Sequence, residues 1–137
     1  PCWETYLRHN ESEESLPFYP YAKRPNGCSF LNQRPGESDE IIVGNDTYSF
    51  KSACNFHDSC YYSLKSDEHS CNKKFLSKMH QACLDSGSDE TRFWCFARAK
   101  MFFEAVEKSS PVVFRYSQAI QWHYLHRVEK YIDARRR

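Results

Sequence analysis

The eight residues from Cys54 to Tyr61, CNFHDSCY, constrain this chain more than any other segment. They place His57 beside Asp58, and a cysteine stands three residues before and three residues after the histidine (Cys54 and Cys60). Neighbouring side chains on an α-helix point about 100° apart, so His57 and Asp58 face two adjoining subsites rather than each other. This arrangement suits a general base that works beside a cation. The two cysteines are positions at which the helix could be tethered to its surroundings.

Apolar residues recur every three or four positions from Tyr48 onward, which is the period of amphipathic helices. We predict a first helix whose buried face is formed by Phe50, Ala53, Cys54, His57, Cys60, Tyr61 and Leu64. A second helix would bury Asn72, Phe75, Leu76, Met79 and Cys83. A third would bury Trp94, Cys95, Ala99, Phe102, Phe103 and Val106, with Phe96 as a further core residue. Polar segments at 66–70 and 85–89 separate the three helices.

A break is predicted after the third helix. Ser109-Ser110-Pro111 should end it, because proline lacks the amide proton that a helix interior needs. A last amphipathic stretch then runs from about Ser117 to Ala134 and closes with three cations, Arg135, Arg136 and Arg137.

The N-terminal third lacks this periodicity. Two prolines at 17 and 20 and the turn signal Pro25-Asn26-Gly27 predict irregular structure over 1–47, in which 41–43 is either a short strand or a buried loop anchor. We therefore expect one mainly α domain spanning 1–137. It comprises an irregular arm at 1–47, a helical core at 48–107 and a C-terminal helix at 108–137.

Composition agrees with a single small domain of 137 residues. Nineteen basic against 18 acidic residues leave a net charge of +1, so nucleic-acid binding, which usually needs a strong basic excess, is not expected. Seven cysteines favour an oxidising compartment. Sequons at Asn10 and Asn45 agree with secretion. No apolar run approaches the roughly 20 residues of a membrane span. No signal peptide is recognised, so a secreted protein would be in its mature form.

The motif Cys-x-x-His-Asp-x-Cys-Tyr resembles the active-site helix of secreted, calcium-dependent phospholipases A2. Cys71-Asn72 stands where that family has Cys-Asp at the start of the antiparallel partner helix, and Asn26-Gly27-Cys28 stands where its calcium loop lies. The glycine-rich loop of the venom and pancreatic enzymes is absent, and the shorter pattern is closer to the bacterial, fungal and conodipine-like branch. The resemblance covers roughly residues 24–107. It implies disulfide-linked antiparallel helices with an irregular calcium loop.

The resemblance implies catalytic roles for three residues. His57 would take a proton from water, which the usual histidine pKa of about 6.5 allows at neutral pH, and Tyr61 would support the catalytic network. Most family members have an aspartate where this chain has Asn72. The amide oxygen of Asn72 can accept the imidazole N–H and fix the tautomer, but it stabilises an imidazolium less than a carboxylate does. We therefore expect modest activity.

The implied cofactor is calcium, held by Asp58, by the carbonyl of Gly27 and by the side chain of Asn26. Carboxylate and carbonyl oxygens are the ligands that calcium prefers. Glycine also lets the backbone turn its carbonyl toward the metal without a Cβ clash. Bacterial and fungal members have an aspartate in place of Asn26, so we expect weak calcium affinity. The implied partner is a phospholipid membrane surface.

The resemblance further implies that six cysteines pair as Cys28–Cys54, Cys60–Cys71 and Cys83–Cys95. The first bond would join the calcium loop to the first helix, the second would join the first two helices beside His57, and the third would join the last two helices. Cys2 is left unpaired by this scheme. It would be a free thiol, a link to a second chain or the partner of a cysteine outside this sequence.

Other interpretations of these residues are weaker. A zinc site of Cys54, His57, Cys60 and Cys71 is disfavoured, because Cys54 and Cys60 lie ~9 Å apart along a straight helix and Zn–S bonds are about 2.3 Å. Without the resemblance, His57 would be interpreted as a structural helix histidine. The remaining histidines are interpreted as solvated or packed: His9, His69, His80, His123 and His126.

Three functions follow from these observations. The first is a secreted phospholipase A2 that hydrolyses the sn-2 ester of glycerophospholipids with calcium. The second is a catalytically weak or inactive binding protein or toxin on the same scaffold, which Asn26 and Asn72 favour. The third is a disulfide-rich structural module without a ligand, which explains the cysteines but not the His57-Asp58 pair.

Overall fold

A computed structural model describes residues 20–25, 27–28 and 40–136. The expected calcium ligand Asn26, the odd cysteine Cys2 and the sequon residue Asn10 lie outside the described residues. The described chain is a β-hairpin followed by three helices, so the expectation of a mainly helical chain with disulfide-linked helices is confirmed at this level.

The hairpin consists of β1 (Glu40–Val43) and β2 (Asp46–Ser49), which pair antiparallel with Ile41 opposite Tyr48. Gly44 and Asn45 form its two-residue loop, and Gly44 has a φ of 61°, which glycine adopts readily. Gly-Asn between two alternating segments is a hairpin signal. The prediction that helical structure begins at Tyr48 is therefore wrong, and the segment 41–43 is a strand. Asn45, in the second sequon, is exposed at the hairpin tip.

Two antiparallel helices follow the hairpin. Helix α1 spans Lys51–Tyr61 and helix α2 spans Glu68–Asp85. The carboxylate of Asp67 accepts the backbone N–H of Ser70 at 2.8 Å and so caps α2. The polar segment predicted to separate the helices contains this cap.

Helix α3 spans Asp89–Arg136 and has 48 residues. At about 1.5 Å per residue it extends about 70 Å. The prediction that Ser109-Ser110-Pro111 ends the helix is wrong. Pro111 cannot donate to the carbonyl of Glu107, and the hydroxyl of Ser110 lies 3.5 Å from that oxygen. Both halves of α3 also pack against other parts of the fold, which stabilises the helix across the proline.

Three disulfides form, Cys28–Cys54, Cys60–Cys71 and Cys83–Cys95, which are the pairs that the resemblance implies. The core includes the first and the third of them. Its largest buried side chains include Tyr48, Phe50, Phe75, Met79 and Phe102. Neither Cys54 nor Cys60 offers a thiolate to zinc, because both are oxidised.

One predicted core residue lies on the surface. The side chain of Trp94 is 59% exposed, so its assignment to the core is wrong. Its neighbour Cys95 points inward to its disulfide, and the next side chain along a helix points about 100° away. Phe102 is buried as expected, whereas Phe96 and Phe103 are half-buried at the edge of the core.

A second, smaller cluster covers the C-terminal half of α3. Leu125 and Val128 are buried there against Leu64, Tyr124 and Ile132. Within the described residues, no helix is both long and apolar enough to cross a membrane.

Candidate active site

Three predicted site residues meet where α1 and α2 are joined by the Cys60–Cys71 disulfide. Nε2 of His57 lies 2.8 Å from Oδ1 of Asn72, and the hydroxyl of Tyr61 donates to the same oxygen at 2.7 Å. His57 and Tyr61 are one helical turn apart on α1, and Asn72 faces them from the first turns of α2. One amide oxygen therefore holds both the imidazole and the phenol.

Aromatic packing fixes the imidazole ring. The ring centroid of His57 lies 4.2 Å from that of Tyr61 and 4.7 Å from that of Phe75. Burial lowers the pKa of His57 to about 4, although the hydrogen bond to Asn72 acts in the opposite direction. His57 is therefore neutral at physiological pH. With Nε2–H donated to Asn72, Nδ1 is the basic nitrogen.

Tyr61 is held in its protonated form. Burial raises the pKa of Tyr61 to about 12, against hydrogen bonds to Ser110 and Asn72. Ser110 is the buried residue that precedes Pro111 on α3. The network that supports His57 thus draws on all three helices.

Asn72 has one buried group without a partner. Its side chain is fully buried, and Nδ2 has no hydrogen-bond partner among the described residues. A buried polar group that lacks a hydrogen bond costs about 1–3 kcal/mol. A carboxylate at this position would present a second acceptor oxygen in place of this donor.

Asp58 and Gly27 are the described members of the expected calcium site. The backbone N–H of Gly27 donates to Oδ1 of Asn55 at 2.8 Å, and the Cys28–Cys54 disulfide ties the same turn to α1. Gly27 has a φ of 73°, a conformation that favours glycine. Asn55 therefore positions this turn.

The expected ligands offer the oxygen atoms that calcium prefers, but they are fewer than calcium usually binds. Calcium takes about six to eight oxygen ligands, and Asp58 would supply the one carboxylate among the expected residues. Among the described residues, no group of three or more His, Cys, Asp or Glu side chains is placed to hold a metal ion. Backbone carbonyls such as that of Gly27 would have to complete the site.

His57 and Asp58 line one cavity of about 300 Å³ between α1, α3 and the segment 20–25. The full lining comprises Lys23, Arg24, His57, Asp58, Tyr61, Tyr62, Val106, Ser109, Val113 and Ser117. The cavity thus combines a neutral imidazole, a carboxylate, two cations and an apolar wall. Such a mixture suits an amphiphilic ligand with charged groups.

Two glutamines on α3 position the cavity walls, and sequence patterns do not single out either. The side-chain amide of Gln118 donates to the carbonyls of Tyr61 and Ser63, at 2.8 Å each, and so caps the end of α1. Gln121 bonds the segment 20–25 at two points: it donates to the carbonyl of Pro20 and accepts the N–H of Ala22. A polar residue on a buried helix face is the available sequence signal, and it does not identify the partner.

The other histidines are placed apart from this cavity. His80 packs edge-on against Phe96 with ring centroids 5.2 Å apart, and His126 stacks on Trp122 at 3.8 Å. His69 and His123 are exposed. The histidine His9 lies outside the described residues.

Comparisons with models of known protein families, with curated proteins and with solved structures find no match. The resemblance to phospholipases A2 therefore stays a prediction from the sequence motif.

Proposed function

We propose that this chain is a calcium-dependent ester hydrolase of the phospholipase A2 type, acting on the sn-2 ester of glycerophospholipids. The observation that supports this most is the 2.8 Å contact between Nε2 of His57 and Oδ1 of Asn72, on a histidine that lines the same cavity as Asp58. With the oxygen of Asn72 facing the imidazole, Nε2 carries the proton and Nδ1 is the base. A neutral, oriented histidine beside a carboxylate is what water activation next to a cation requires.

The chain's own residues would perform the proton transfers. Nδ1 of His57 would take the proton from the attacking water as the new C–O bond forms, while Asn72 holds the imidazolium. The imidazolium would then return this proton to the glycerol oxygen as the ester C–O bond breaks. Tyr61 donates to Asn72 and keeps that amide oriented. Calcium, when held by Asp58, the Gly27 carbonyl and Asn26, would stabilise the negative charge that develops on the ester oxygen.

Exposed apolar residues at the cavity are suited to a lipid surface. Val113 lines the cavity and is 45% exposed, while Val112 and Tyr116 are 76% and 66% exposed. Residues three and four positions apart share a helix face, so these three side chains form one patch on α3. Insertion of the patch into a membrane would bring lipid to His57. The three disulfides suit secretion, where such bonds persist.

The deciding experiment is fatty-acid release from phospholipid vesicles with calcium and with a chelator. We expect release that requires calcium and that is abolished by His57→Gln, which removes the base but keeps a polar side chain. His69→Gln is the matched control, because His69 is exposed and does not line the cavity. Release that persists in His57→Gln would refute the proposed mechanism.

One observation favours a second function, ligand binding without hydrolysis. Nδ2 of Asn72 donates no hydrogen bond to any described residue. If the amide were reversed, Nδ2 would donate to both His57 and Tyr61, and the carbonyl would be left without a donor. Buried carbonyls without partners are less rare than buried N–H groups without partners. The proton of His57 would then be on Nδ1, and the histidine would be a hydrogen-bond donor rather than a base.

Nitrogen NMR of the imidazole separates the two functions. The proposed hydrolase requires the proton on Nε2 at neutral pH. A proton on Nδ1, together with no calcium-dependent release of fatty acid, would establish the binding protein instead.

A further inference from the structure

The cavity of the proposed site contains two cations that the hydrolytic chemistry does not use. Lys23 and Arg24 are exposed neighbours on the segment 20–25, and both line the cavity with His57. Among the described residues of the lining, Asp58 carries the one negative charge. With His57 neutral, these residues carry two positive charges and one negative charge.

The segment that bears these cations is held in place by one buried side chain. Nε2 of Gln121 donates to the carbonyl of Pro20 at 2.9 Å, and Oε1 of Gln121 accepts the N–H of Ala22 at 2.6 Å. Gln121 is fully buried, and its bond to Pro20 is buried whereas its bond to Ala22 is partly buried. Lys23 and Arg24 follow the clamped residues directly, and their backbone is therefore anchored next to the cavity.

The size of the cavity limits the ligand that can contact these two cations. Its volume is about 300 Å³, which is at the lower end of the range for small-molecule sites. The cavity can hold the polar end of a lipid and the start of a chain, but not two acyl chains. The apolar wall of Val106 and Val113 would face the chain, and the cations would face the head group.

We propose that Lys23 and Arg24 form a head-group subsite that selects phospholipids whose phosphate-bearing head group has a net negative charge. A zwitterionic head group brings its own cation, which repels lysine and arginine and cancels part of the attraction to the phosphate. An anionic head group has no such cation, so the attraction between its phosphate and the two cations is not reduced. The inference rests on the proposed function only in taking a phospholipid as the ligand.

The test is calorimetric binding of monomeric dihexanoyl phosphatidylglycerol and dihexanoyl phosphatidylcholine, with calcium, in a His57→Gln background that prevents turnover. We expect tighter binding of phosphatidylglycerol. Lys23→Gln with Arg24→Gln should weaken it by about fivefold, as expected for two partly solvated ion pairs, and should weaken phosphatidylcholine binding less. Lys73→Gln with Lys74→Gln is the matched control, because both lysines are exposed and neither lines the cavity.

Equal affinity for the two lipids, no measurable binding of phosphatidylglycerol, or the same loss in both double variants would overturn the proposal. A third ligand, glycerol phosphate, tests whether the chains matter. Binding of glycerol phosphate as tight as that of phosphatidylglycerol would mean a bare anion site and would also overturn it.

Failure of this inference is distinguishable from failure of the proposed function. If vesicles release no fatty acid but phosphatidylglycerol binding depends on Lys23 and Arg24, the subsite stands and hydrolysis is refuted. If wild-type protein hydrolyses both lipids with equal kcat/KM and the double variant changes neither rate, hydrolysis stands and the subsite is refuted.

Discussion

Oδ1 of Asn72 lies 2.8 Å from Nε2 of His57, and the two residues come from antiparallel helices that a disulfide joins one residue before Asn72. Because the oxygen also accepts the hydroxyl proton of Tyr61 at 2.7 Å, it cannot turn toward another donor without losing two hydrogen bonds. The orientation of His57 is thus coupled to the packing of α1 on α2.

Asn72→Asp should raise the pKa of His57 and raise the hydrolytic rate or leave it unchanged. A carboxylate stabilises the imidazolium more than an amide does, since charge-assisted hydrogen bonds are roughly twice as strong as neutral ones. With the wild-type pKa at about 4, the rate should rise with pH through about 4 and be constant near neutrality. In the variant this rise should occur at higher pH.

NMR titration of the ring protons and a pH–rate profile measure these two effects separately. An unmoved pKa of His57 in folded Asn72→Asp would show that Asn72 does not contact the histidine in solution. A large fall in rate, with the pKa raised, would show that the new charge is not accommodated in the buried site.

The free energy of unfolding should fall between neutral pH and pH 4 because of His57. The unfolded chain takes up this proton near pH 6.5 and the folded chain only near 4, so unfolding is coupled to proton uptake in that window. The loss should be about 3 kcal/mol, complete below the folded pKa and absent above the unfolded one. Urea unfolding without calcium, at a series of pH values, measures it. His57→Gln should remove this component, and His69→Gln should retain it.

Asp58→Asn should weaken calcium binding far more than it changes folding, because Asp58 supplies the one carboxylate of the expected donor set. Isothermal calorimetry gives the affinity, and thermal unfolding without calcium gives the stability. Asp133→Asn is the control, since Asp133 is exposed on the last turns of α3. Unchanged calcium affinity in Asp58→Asn would exclude Asp58 as the main ligand.

Gly87→Ala should destabilise the fold by about 3 kcal/mol or more, within the range of severe single substitutions. Gly87 has a φ of 74°, and an added Cβ would overlap the phenol of Tyr48, which is fully buried and bonded to Thr91 at 2.6 Å. Gly44→Ala is the matched control. Gly44 also has a positive φ of 61° but has open space around it, so it should lose only about 1–2 kcal/mol. If urea unfolding shows the same loss of unfolding free energy for both variants, the side chain of Tyr48 moves aside without an energetic penalty.

Val112→Asp should reduce the hydrolysis of vesicles by about tenfold while sparing the hydrolysis of monomeric short-chain lipid. A valine transferred into an apolar environment contributes about 1.5 kcal/mol, and this is lost when a charge replaces it. Leu84→Asp is the control, because Leu84 is 52% exposed at the end of α2 and does not line the cavity. An equal effect of the two substitutions on vesicle hydrolysis would mean that the patch of Val112, Val113 and Tyr116 is not the lipid-contact surface.

Local patterns in the sequence were sufficient for α1, α2 and the inward direction of His57. The three-and-four spacing places His57, Cys54 and Tyr61 on one face, and a face rich in apolar residues must be buried. The resemblance, which is itself a pattern of residue types and spacings, implied the three disulfides and the approach of Asn72 to His57.

The Gly44-Asn45 loop is a hairpin signal in the sequence. A longer helical period begins beside it at Tyr48, and this period led to the wrong prediction that helical structure begins there. The continuity of α3 through Pro111 could not be predicted from the local sequence. Proline disfavours a helix locally, and the local cost at Pro111 is offset by the packing of α3 on both sides of the proline.

The cavity itself depends on the tertiary structure alone. Gln121 contacts Pro20 and Ala22 about a hundred positions earlier in the chain, and this contact is what brings Lys23 and Arg24 to His57. No local period or propensity encodes a pairing over that separation, because the free energy that selects it comes from burying one particular amide between two segments. The sequence alone therefore determined α1, α2 and the candidate base, and the packing of the long helix decided which charges face that base.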